Sequence, residues 1–140
     1  MKNGYITVID RHFNEEEGNE PQCGELRTKC SIDYSDGTIK ISYKESVEAP
    51  QDCSTTLFIK GSRITMMRNG RFRTSMIFEN GKRHICCYET PFGELMIGIF
   101  TNAMFVDMDE NGGVMNFAYT IDNSGELISE NELKITITEC

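Results

Sequence analysis

Apolar and polar residues alternate with a period of two along most of this 140-residue chain, and glycine beside Asn, Asp or Ser interrupts the alternation at short intervals. Successive side chains of a strand point to opposite faces, so this period describes half-buried strands. Tyr5 to Phe13, Glu25 to Tyr34 and Thr38 to Lys44 read as the first strands. Thr55 to Ile59, Arg63 to Arg68, Arg71 to Phe78, Lys82 to Glu89, Leu95 to Phe100, Met104 to Asp109, Val114 to Ile121 and Leu133 to Thr138 follow. The punctuation between them is Asp36-Gly37, Gly61-Ser62, Asn69-Gly70, Asn80-Gly81, Pro91-Phe92-Gly93, Thr101-Asn102, Asn111-Gly112-Gly113 and Ser124-Gly125. Two-residue Asn-Gly and Asp-Gly turns match the twist of antiparallel neighbours, so consecutive strands are joined as a meander. No segment supplies the crossover helix that a parallel sheet requires. Some eight to ten strands in one domain of residues 1–140 favour closure, which removes exposed edges, and an up-and-down antiparallel β-barrel is the predicted all-β fold.

Charge narrows the partners. The formal net charge is −8, which argues against nucleic acid and anionic membranes, since both demand a positive field. The longest apolar run, Leu95 to Phe100, falls far below the roughly 20 residues of a membrane-spanning helix. The chain enters its first strand directly after Asn3-Gly4 without an apolar leader, so a cytoplasmic location with reduced cysteines is expected. Residues 60–83 are the exception to the acidity. Lys60, Arg63, Arg68, Arg71, Arg73, Lys82 and Arg83 face a single acid, Glu79, for a local +6, which leaves −14 on the remainder.

If Asn69-Gly70 forms a two-residue turn, Arg68 lies opposite Arg71 and Met66 opposite Arg73, so Arg68, Arg71 and Arg73 share one face. Like charges opposed across a sheet call for an anion or a carboxylate partner. The hairpin is thus a candidate for two different roles. It can hold the anionic group of a small ligand, with Arg63 assisting, or present itself to an acidic protein or to a second copy of the chain.

Catalytic and metal chemistry find no support. The six cysteines contain no C-x-x-C, and the Asp107-Asp109-Asn111-Gly112 run resembles a calcium loop only until its twelfth position, Ala118. His84 and Cys86 share a strand face, but two residues along a strand span roughly 6.6 Å, too far for a Cys–His pair. No catalytic residue, metal ligand or cofactor is therefore assigned.

The segments around the turns carry a more specific order: MRNGRF at Met67 to Phe72, FENGK at Phe78 to Lys82, YETPFGEL at Tyr88 to Leu95, Gly112-Gly113 ahead of Tyr119, and ENELKITI at Glu130 to Ile137. In these, across about residues 38 to 138, the chain resembles the YwiB-like family of small bacterial cytoplasmic proteins of unknown function. That resemblance implies a calycin or lipocalin-like barrel and supplies no catalytic or binding residues. Barrels of this size are filled by side chains or hold one small ligand, and Tyr88, Thr90 and Tyr119 are the polar residues of the family-like segments available to such a ligand. Tyr88 and Thr90 have an alternative role in bracing the Pro91-Phe92-Gly93 turn.

Overall fold

A computed structural model describes residues 2–13, 22–44, 54–70 and 73–140. Ten strands occur among them: β1 Lys2–Phe13, β2 Gln22–Ser35, β3 Thr38–Tyr43, β4 Ser54–Lys60, β5 Arg63–Asn69, β6 Thr74–Glu79, β7 Arg83–Thr90, β8 Gly93–Asp109, β9 Gly112–Asn123 and β10 Glu126–Glu139. They pair antiparallel in chain order from β1 to β10, and β1 closes the barrel against β10. Closure follows from the meander: each hairpin adds a strand at one edge until the last meets the first.

The predicted turns explain most of this order. Asp36 and Gly37 adopt φ of 52° and 78°, the paired positive values a two-residue hairpin turn demands. Alternation then sends one residue in two inward. Ile32, Ile41, Leu57, Met66 and Met76 lie opposite one another in successive strands and form a continuous apolar row through the barrel. Ile39, Ile59, Ile64 and Phe78 form a second row, one step nearer one end. All nine are buried. Phe78 packs against Phe117 in a tilted contact and against Tyr119 edge-on, with ring centroids 4.6 and 4.7 Å away, so aromatic contacts bridge the barrel from β6 to β9.

Three features differ from the reading by period and turn. The β5–β6 register is Arg68 with Thr74, Met66 with Met76 and Ile64 with Phe78, not the Met66–Arg73 pairing of a two-residue Asn69-Gly70 turn. A longer connection lets the apolar side chains of both strands face inward together, and that burial outweighs the local turn preference. Thr101-Asn102 is not a turn. β8 runs straight through it to 17 residues, and the ladder absorbs the irregularity as a bulge between Thr101 and Ala103. Finally, β10 begins seven residues before Leu133, because Glu126 to Glu132 pair with β9 although the segment shows little alternation.

The seam between β6 and β7 is the weakest in the barrel. Thr74 with Tyr88 is its one registered pair among the described residues. Backbone bonds secure its two ends: the Glu89 N–H donates to the Arg73 carbonyl at 3.0 Å, and the Lys82 N–H donates to the Glu79 carbonyl at 3.0 Å.

Candidate functional site

One register step beyond the Ile32–Met76 row, toward the mouth where β5 ends and β6 begins, the inward positions turn polar. Tyr43, Thr55, Arg68, Thr74 and Tyr88 are opposite one another in sequence across β3 to β7. Thr55 and Tyr43 are buried, at 0 % and 4 % exposure, whereas Arg68 and Tyr88 are exposed at the rim. A row of hydroxyls and one guanidinium thus caps an apolar interior.

The cleft at this mouth has a volume of about 300 Å³ and is lined by Val8, Asp10, Gly24, Glu25, Leu26, Tyr43 and Arg68. Val8 and Leu26 are opposite each other in β1 and β2, as are Asp10 and Gly24. A Cβ on Gly24 would collide with the Asp10 carboxylate, so glycine here gives that carboxylate its room. Glu25 turns away to Arg27, whose Nε donates to its Oε1 at 3.1 Å.

Tyr119 lies beneath, 8 % exposed, at the end of the aromatic group formed with Phe78 and Phe117. Burial pushes its hydroxyl up to about 12; the Arg68 charge opposes that rise and the Asp10 charge adds to it. Two groups on strands four apart in the barrel therefore act on one phenol. Across the ladder from Tyr119 lies Thr101, fully buried, whose Oγ1 has no hydrogen-bond partner among the described residues.

Arg68 and Arg73, predicted to share a face, lie on opposite ones. Arg68 is in phase with Ile64 and Met66 and points to the mouth, while Arg73 precedes Thr74 and is outward. Its N–H donates to the Glu89 carboxylate at 2.9 Å. Arg63 is outward at the opposite end, in register with Lys60 and Glu79. The register shift is the cause, since it separates β6 positions from the β5 positions a tight turn would have set beside them. Arg71 lies outside the described residues. Thr90 braces its turn: its hydroxyl donates to the Gly93 carbonyl at 2.7 Å and accepts from the Phe92 N–H at 3.2 Å.

Of the candidate residues, the mouth therefore brings together Arg68, Tyr88 and Tyr119, and leaves Arg63, Arg73 and Thr90 elsewhere. It adds Asp10, Tyr43, Thr55 and Thr74. Each of these is an inward position one or two steps past an apolar one, a signal visible in the alternation once the phase of each strand is known. His84 is engaged by Glu79, with Nε2 and Oε1 3.0 Å apart, and the nearby Cys86 thiol donates to the His84 carbonyl at 3.8 Å. Burial pushes that thiol up, away from a reactive thiolate.

Two other clefts are larger. One of about 620 Å³ sits at the opposite end among the hairpin tips, where its charged lining is Asp109 and Glu110. A groove of about 490 Å³ on the outer face is walled by Ile9, Phe105, Ala103 and Ala118. Size alone favours these two; the groove also carries Arg11, Lys134 and Glu132, but there Arg11 and Glu132 pair with each other at 3.8 Å on the outer surface, whereas the mouth sets Asp10 and Arg68 on separate strands beside a buried polar row.

The sequence comparisons agree with the architecture. Residues 6–135 match a family described as a domain of unknown function, DUF1934. The uncharacterized β-barrel protein YwiB of Bacillus subtilis (strain 168) is 26 % identical over 133 residues, 95 % of this chain and 91 % of that protein. The crystal structure of the B. subtilis ywiB protein superposes with a TM-score of 0.82 at 20 % identity, covering 99 % of this chain and 92 % of that one, a likeness of fold. By the span of the family match, the chain is a member of the DUF1934 family of β-barrel proteins.

Proposed function

We propose that this protein is a non-catalytic binder of a small, partly apolar ligand, which it holds in the cytosol at the mouth of a calycin-like barrel. The apolar part of the ligand contacts Val8 and Leu26, and an anionic group meets Arg68. The observation that carries this reading is the inward phase of Arg68 in a polar row above a buried apolar one. A guanidinium aimed into a concave site is a common anchor for carboxylate or phosphate. Tyr43 adds a hydroxyl to the same site.

Native mass spectrometry of gently purified protein, before and after denaturation, tests it. The expected result is a discrete excess mass that disappears on denaturation and is absent from an Arg68→Gln variant of unchanged fold. Retention of the same adduct by that variant would overturn the assignment of Arg68.

A second reading belongs to the outward arginines. Met67, 38 % exposed, lies on the outward face of β5 with Arg63 four residues away toward one end and Arg73 two residues before its partner Ser75 toward the other, a combination suited to an acidic protein or to a second copy. A dimer mass that Arg63→Glu or Arg73→Glu dissociates would favour this reading over the first.

A further inference from the structure

Resting on the mouth reading above, we infer that the ligand is zwitterionic: an α-amino acid with an apolar side chain, its carboxylate at Arg68, its ammonium at Asp10 and its side chain against Val8 and Leu26. The cleft carries charges of both signs on separate walls. Asp10 is on β1 and Arg68 on β5, with β2, β3 and β4 between them in the barrel, and both line the same space of about 300 Å³. That volume lies at the small end of ligand sites and suits a molecule of amino-acid size.

A simple anion would use only half of this arrangement. It would satisfy Arg68 while bringing its negative charge toward Asp10, which lines the same cleft. A ligand with both charges separated by one carbon chain meets each wall with its complement. The buried Tyr119 hydroxyl feels Arg68 and Asp10 in opposite senses, in keeping with their shared place on the lining of one cleft. Gly24 contributes by omission, because any side chain there would displace the Asp10 carboxylate from its position. The apolar row of Leu57 and Met66 below leaves the ligand's side chain the wall formed by Val8 and Leu26.

The test uses the full-length protein and the standard L-amino acids, each also as its N-acetyl derivative and its amide. Thermal shift selects binders and titration calorimetry measures affinity. A free apolar amino acid is expected to bind, with acetylation of its amine or amidation of its carboxylate each weakening binding about tenfold or more, as for loss of a hydrogen bond between charged groups. Asp10→Asn should erase the penalty for acetylation alone, and Arg68→Gln the penalty for amidation alone. Both positions are exposed, so the variants are expected to fold, and circular dichroism checks this. An N-acetyl amino acid that binds as tightly as its free form, with Asp10→Asn without effect, would overturn the zwitterion while leaving the anion site at Arg68 intact. If no member of the panel binds and the native adduct is also insensitive to Arg68→Gln, the mouth reading itself fails.

Discussion

Tyr119 offers a direct measure of how well the mouth is sealed. Its folded-state pKa of about 12 compares with about 10 for tyrosine in an unfolded chain. Folding therefore favours the neutral phenol. Below pH 10 both states hold the proton and the contribution is fully present; between about pH 10 and 12 the unfolded chain releases its proton while the folded one keeps it. Stability must then fall as pH rises, by about 1.4 kcal/mol for each of the two units, or about 3 kcal/mol in all. Tyr119→Phe has no proton to release and should lack this component. Urea unfolding at intervals from pH 9 to 12 would show the wild-type curve descending by that amount relative to the variant's. Ultraviolet difference spectra of wild type minus variant should place the missing phenolate transition near pH 12. Charges around the phenol set the direction of smaller shifts: Asp10→Asn should move the transition down and Arg68→Gln should move it up. Parallel stability curves for wild type and Tyr119→Phe, or a Tyr119 transition near 10, would refute the burial of this side chain and with it the convergence of Asp10 and Arg68 upon it.

Phe78→Ala should destabilise the barrel by about 4 to 5 kcal/mol in urea unfolding, the upper part of the range for buried Phe truncation, because two aromatic contacts are lost with the ring. Among the described thiols, Cys30 and Cys86 are buried while Cys23 and Cys140 are exposed, and burial pushes Cys30 up to about 11. A thiol-reactive disulfide reagent should therefore label Cys23 and Cys140 first by peptide mass mapping, and Cys30 and Cys86 only on unfolding. Gly113→Ala should cost about 1 to 3 kcal/mol, since φ is 145° there and an added Cβ would strike the Asp107 carbonyl; a melting temperature equal to wild type would contradict that geometry.

The barrel was legible because hairpin turns and alternation are local signals that here agree with each other. Asp36-Gly37 sits between two alternating segments, and its paired positive φ values followed directly. Register was harder to read at Asn69-Gly70, where the two signals conflict. A tight turn there sets Ile64 against Ser75, whereas burial sets it against Phe78, and burial involves many more contacts. The phase of Arg68 was hidden for a related reason. Ile64 and Met66 share its face and Met67 occupies the other, so both faces look apolar until packing separates 0 % and 2 % exposure from 38 %. Asp10 was out of reach, since its approach to the mouth depends on closure of β1 onto β2 and β10, a long-range event with no local signature.

The same ladder bounds what the site can hold. Tyr43, Thr55, Arg68 and Thr74 occupy one row, and the next row inward, Ile41, Leu57, Met66 and Met76, is buried, at 8 % exposure or less. A ligand therefore enters to a depth of one row. A long alkyl chain passing down the axis would have to displace Met66 and Met76, and interiors packed at crystal-like density resist such displacement. Polar discrimination at the rim thus matters more for affinity here than apolar volume beneath it. This is why the pair of charges on β1 and β5, rather than the larger clefts at the far end and on the outer face, is the feature of this barrel most able to distinguish one small molecule from another.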